Sequence, residues 1–78
     1  MVFPEYDQDK IRPVRRYLEL TCEELGDICH LSRQSVNAIE NGKSYQKSIV
    51  TLLGLALDRV AYERGPDAMA VVEAIRSC

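Results

Sequence analysis

The stretch Leu20–Ser44, LTCEELGDICHLSRQSVNAIENGKS, decides the fold of this 78-residue chain. It opens on Thr21-Cys22-Glu23-Glu24, a capping box. In that motif the threonine hydroxyl accepts from the glutamate amide while the glutamate carboxylate reaches back to the threonine amide. Glu23 and Glu24 also suit the positive end of a helix dipole. Leu25, Ile28 and Cys29 share one face behind this cap, which predicts a short helix with that face turned inward. His30-Leu31 marks a turn, and Ser32 caps a second helix over about Arg33–Glu40. Asn41-Gly42 ends it, with Gly42 free to take the left-handed conformation. Val36 and Ile39 form the inward pair of this helix. Its other face carries Arg33, Gln34, Asn37, Ala38 and Asn41.

Upstream, Met1–Asp9 has no hydrophobic period and contains Pro4, so it reads as an N-terminal arm. Ile11, Val14 and Leu18 then fall on one face of a helix over about Lys10–Glu19, with Asp9 as its N-cap. Pro13 is tolerated in a first turn, which moves the start toward Arg12. Downstream, Ser48 is expected to cap a helix over about Ile49–Val60, with Ile49, Leu52, Leu53 and Ala56 as its stripe. Gly65-Pro66-Asp67 breaks the chain before a last helix over about Asp67–Arg76. Ala68, Val71, Val72 and Ile75 lie on one face of it. No stretch alternates as a strand would. The expected fold is all-α, a compact bundle of five helices in one domain. Residues 1–9 form its arm, 10–60 a four-helix core and 66–77 the C-terminal helix.

Composition narrows the function classes. Hydrophobic residues are 46% of the chain and charged residues 28%, which excludes a disordered or fibrous chain. The longest apolar run, near Leu52–Leu57, is broken by Gly54 and is too short to cross a bilayer. No basic stretch followed by an apolar run marks a signal peptide, so a cytoplasmic location is expected. Of the three cysteines, Cys22 and Cys29 would stand about 10 Å apart on one helix, too far for a disulfide. With Cys78 they read as reduced thiols or, alternatively, as redox sensors. No C-x-x-C occurs, and the single histidine, His30, supplies too few ligands for a zinc site. His30 reads as a turn residue rather than a pH switch. No nucleophile–base constellation or phosphate-binding glycine loop is present, so neither an enzyme nor a cofactor is expected.

Two short helices joined by a tight turn make a rigid projecting unit. In DNA-binding versions the second helix enters the major groove while the first crosses the backbone. Arginine pairs with guanine O6 and N7, and glutamine or asparagine with adenine N6 and N7. The net charge of −2 opposes DNA binding at first sight. Its distribution is locally more favourable: from Leu31 to Ser48 the basic residues Arg33, Lys43 and Lys47 stand against Glu40 alone. A locally basic face can bind phosphate on an acidic molecule.

From Ile11 to about Asp58 the chain resembles the helix-turn-helix family of phage Cro and lambda-type repressors, also called the xenobiotic-response-element family. EEL near the start of the first short helix, SRQSV opening the second and AIENGK closing it carry the resemblance. It implies a lambda-repressor-like DNA-binding domain in which Arg33, Gln34 and Asn37 contact bases. Ser35, Asn41 and Lys43 would contact phosphates or stand close to them, with Lys47 a looser extension of that set. Tyr45 reads equally as loop packing or phosphate contact. Arg15 and Glu40 would form a partly buried ion pair tying the first helix to the third. The chain departs from the family pattern in places. Cys22 replaces a phosphate-binding glutamine, leaving only its backbone amide for that contact. His30 replaces a glycine, which the turn can survive because histidine is enriched at positive φ. Gly26 replaces an alanine, and Ala38 offers only a methyl group, suited to thymine.

The function expected is a transcriptional regulator, more specifically a repressor, occupying a palindromic DNA operator as a homodimer through the last helix and the end of the fourth. An antitoxin, capping a toxin partner with the acidic C-terminal half, is the alternative from another class. A restriction–modification controller is a further DNA-binding option.

Overall fold

A computed structural model describes residues 7–77. A 3-10 turn, Gln8–Lys10, leads into α1 (Ile11–Tyr17), α2 (Cys22–Cys29), α3 (Arg33–Glu40), α4 (Lys47–Arg64) and α5 (Pro66–Ser77). No strand occurs among the described residues. Most of the expected N-terminal arm, and Cys78, lie outside them. The Cα radius of gyration is 11.6 Å, close to the roughly 11 Å of a closely packed domain of this length.

Local chemistry sets each boundary. α1 stops at Tyr17, short of the expected Glu19, because Glu19 turns left-handed at φ 59°. Around it the Leu20 amide bonds back to the Arg15 carbonyl at 3.1 Å and the Glu19 amide to the Arg16 carbonyl at 3.0 Å. This is the paired closure of a Schellman ending. Asp9 does not cap α1. It lies inside the 3-10 turn, and Lys10 precedes the helix without a side-chain cap. The Thr21 capping box is complete, with both Thr21–Glu24 bonds at 3.0 Å. α2 ends at His30, left-handed at φ 58°. Ser32 caps α3 through its hydroxyl, 3.1 Å from the Ser35 amide. Gly42, at φ 87°, closes α3.

Ser48 is not the cap of α4. The Gln46 carbonyl already accepts from the Ile49 and Val50 amides at 3.0 and 3.3 Å, so the helix begins at Lys47 and Ser48 lies inside it. α4 also runs past Val60 to Arg64, since nothing opposes helix before Gly65-Pro66. Pro66 then opens α5, a position where its missing N–H has no helical partner to lose.

α4 is the hub, packing against α1, α2 and α5, whereas α3 packs chiefly against α2. Ile11, Val14, Leu18, Leu25, Val36, Ile39, Leu53, Leu57 and Val72 are fully buried and form the core. Three residues expected on apolar stripes lie at the rim instead: Ile28, Leu52 and Val71 are exposed. A small domain lacks the interior to cover every stripe. Asp58 ties α4 to α5 through Arg76 at 3.2 Å. Gly26 lets α2 close on the following turn: a Cβ there would stand 2.5 Å from the Leu31 carbonyl oxygen.

Candidate nucleic-acid interface

α3 is two-faced. Val36 and Ile39 lock one side into the core, and Arg33, Gln34 and Asn37 stand exposed on the other. With Cys22 of α2 these three residues line an open hollow of about 300 Å³. None of the three side chains has a hydrogen-bond or ion-pair partner among the described residues. Their donors and acceptors face water and are free to meet a ligand. Beside this hollow lies a second, of about 470 Å³, where Glu23 and Asp27 of α2 face Ser32, Arg33 and Gln34. The arginine side chain therefore has carboxylates at its rim.

The remaining sequence-predicted residues fall into two groups. Asn41, Lys43 and Lys47 are exposed along the end of α3 and the start of α4. Ser35 and Cys22 are half-buried and turned toward protein. The Ser35 hydroxyl meets the Ser32 hydroxyl at 3.0 Å. The Cys22 thiol donates to Glu40 Oε2 at 3.6 Å, so its side chain faces the carboxylate behind α3.

Glu40 anchors that inner side, with its side chain only 1% exposed. Arg15 grips it through Nε to Oε2 at 2.6 Å and Nη2 to Oε1 at 2.9 Å. Such a fork is the strong form of an arginine–carboxylate pair. Arg15 Nη1 also donates to the Leu20 carbonyl at 2.7 Å, fixing the entry to α2. Burial alone would push the Glu40 carboxyl up. Hydrogen bonds from Arg15 and Arg12 outweigh it and hold the group below its usual range. The bond to Glu40 raises Arg15 further, against the opposing pull of burial. Burial, and then the Glu40 charge, push the Cys22 thiol up, and burial does the same to Cys29. Both are free thiols kept away from the reactive thiolate form.

Comparison with known protein families, with curated proteins and with solved structures finds no match. Two residues that sequence reasoning passed over also belong to this region. Arg12 adds a bond from Nε to Glu40 Oε1 at 3.0 Å and another from Nη2 to Asn41 Oδ1 at 2.8 Å. It stands three residues before Arg15, which puts both on one helix face. Gln8 donates from Nε2 to the Ile39 and Lys43 carbonyls at 2.7 and 2.6 Å. Backbone carbonyls exist at every position, so no pattern of residue types announced this contact.

Proposed function

We propose that the chain is a sequence-specific DNA-binding regulator of the Cro and lambda-repressor type. α3 enters the major groove, Arg33, Gln34 and Asn37 read base edges, and Asn41, Lys43 and Lys47 meet phosphates. Ser35 and the Cys22 amide sit at the margin of that contact. The observation that carries this reading is the exposed, unpartnered trio on α3. Its helix is held from behind by Val36, Ile39 and the Glu40 cluster. Rigid presentation of unsatisfied donors lowers the ordering cost of binding. Selection of duplexes from a random pool, followed by anisotropy titration, tests it. Arg33→Ala and Gln34→Ala should each weaken the selected site by about 1–3 kcal/mol and relax preference at one base pair. Unchanged affinity in both variants refutes the assignment of α3.

A protein-binding role beside this one is favoured by a specific feature at the other end of the molecule. Tyr62, Gly65, Pro66, Met69, Ala70 and Glu73 line a mostly apolar hollow of about 620 Å³, and Tyr62 is 75% exposed. We assign this face to homodimerisation, which would pair two half-sites of a palindromic operator. Sedimentation should report a dimer for the wild type and a monomer for Met69→Glu. A wild type that is monomeric at all concentrations, yet captures a toxin encoded beside it, supports the antitoxin reading instead.

A further inference from the structure

We propose that Gln8 and Arg12 are positioning residues that hold the far end of α3, so that the Asn41 amide and the Lys43 side chain face an incoming phosphate. The inference rests on the DNA-binding proposal and concerns how tightly, rather than which, sequence is bound.

The last carbonyls of a helix lack intrahelical donors and take partners from elsewhere. Here the turn after α3 is partly closed by its own backbone: the Gly42 amide bonds to the Ile39 carbonyl and the Lys43 amide to the Ala38 carbonyl, both at 3.1 Å. Gln8 spans that turn from outside. One NH2 group donates one proton to Ile39, on the helix side, and the other to Lys43, on the exit side. The two carbonyls cannot separate without breaking a bond. The Lys43 backbone is thereby fixed while its side chain stays exposed.

Arg12 acts between those two carbonyls, at Asn41. A guanidinium carries donors only, so Asn41 must turn its Oδ1 toward Arg12 Nη2, at 2.8 Å. The Asn41 NH2 group makes no hydrogen bond among the described residues, and the residue is exposed. A carboxamide that could otherwise present either end is set with its donors unpaired, the polarity a phosphate oxygen needs. The same guanidinium is itself held by Glu40 at 3.0 Å, with a side chain that is 1% exposed. Both clamps reach α3 from the segment preceding it by 28 to 35 residues, so neither is an ordinary helix ending.

The test uses the whole chain and a duplex chosen by selection, with affinity read by anisotropy across a salt series and folding read by circular dichroism. Gln8→Met keeps size and neutrality and loses the donors. It should weaken binding about five- to tenfold and flatten the plot of log affinity against log salt by about one. The ratio between the selected duplex and its single-base variants should not move. In a Lys43→Ala background, Gln8→Met should cost nothing further. Arg12→Lys keeps the charge and loses the fork. It should weaken binding at unchanged salt slope, and have no effect in an Asn41→Ala background. A folded Gln8→Met with wild-type affinity and slope overturns the proposal. So does a loss that is equal with and without Lys43, since that marks mere support of the fold. If Gln8→Met does not fold, the Arg12→Lys pair decides alone by the same criterion. Wild-type chain that selects no duplex overturns the DNA-binding proposal together with this one. Wild-type binding that Arg33→Ala deprives of base preference leaves the former standing, whatever Gln8→Met does.

Discussion

Glu40 and Asp58 are both largely withdrawn from water, yet their carboxyls are displaced in opposite directions. Glu40 is held below the ordinary value of 4.5 because two arginines donate to it, outweighing burial. Asp58 is raised above the ordinary 3.8 because burial outweighs the attraction of Arg76, with Glu73 adding repulsion. One of its oxygens, Oδ1, is buried without a partner. The signs follow from linkage. The Glu40 contribution is complete above the unfolded value, about 4.5, and is lost as pH falls through the lower folded value. Asp58 binds its proton more tightly when folded, so its contribution grows as pH falls through its raised value. Urea midpoints measured from neutral pH to about pH 3 should therefore fall more steeply in Asp58→Asn than in the wild type, and less steeply in Glu40→Gln. At neutral pH Glu40→Ala should cost about 3–5 kcal/mol, since it leaves the largely buried Arg15 charge without its partner. The pairing of Glu40 with Arg15 was expected from the resemblance to the repressor family, but the share of Arg12 was not. A second arginine on one helix face reads as solvated charge until the fold brings a common acceptor to it.

Short elements stand or fall on their ends, and α2 illustrates both signs of a one-residue change. Gly26→Ala gains about 1 kcal/mol of helix propensity. The added methyl, however, would lie 2.5 Å from the Leu31 carbonyl oxygen, a backbone atom that cannot swing aside. Overpacking of this kind costs about 1–3 kcal/mol, so net destabilisation is expected, with α3 displaced from α2. His30→Gly relieves a left-handed residue at φ 58° and should leave thermal stability unchanged or raise it by up to about 1 kcal/mol. Thermal unfolding of the two variants separates them by sign. The caps at Thr21 and Ser32 were legible because hydroxyl and carboxylate spacing is itself the signal. The start of α4 was not. There a backbone carbonyl of Gln46 receives the first amides, and Ser48, an equally good cap by composition, is simply overtaken by the helix. The end of α1 was hidden likewise, because Glu19 gives no hint of its positive φ.

For the molecule as a whole, the all-helical class and the order of five helices follow from 3.6-residue periodicity, which survives even where individual stripe residues such as Leu52 end at the surface. What periodicity does not reveal is how α1 and its leading turn return to α3, since that contact spans 25 to 35 residues. The charge layout has a measurable consequence under the proposed function. With Lys43 and Lys47 as the exposed cations proposed to meet phosphate, log affinity against log salt should fall with a slope of about −2 per subunit. Filter-binding over a salt series measures it, and a slope near zero removes phosphate contact from the proposal.

Gly65 joins α4 to α5 at φ 121° and ψ 175°, yet a side-chain carbon there would meet nothing within 4 Å. The penalty at that corner is one of handedness rather than volume. Alanine, serine and lysine would incur it alike, because the L configuration itself is what the backbone rejects. A mirror-image alanine, placed by chemical synthesis, would escape it, so the relation between the last two helices depends on a residue that has no chirality to violate.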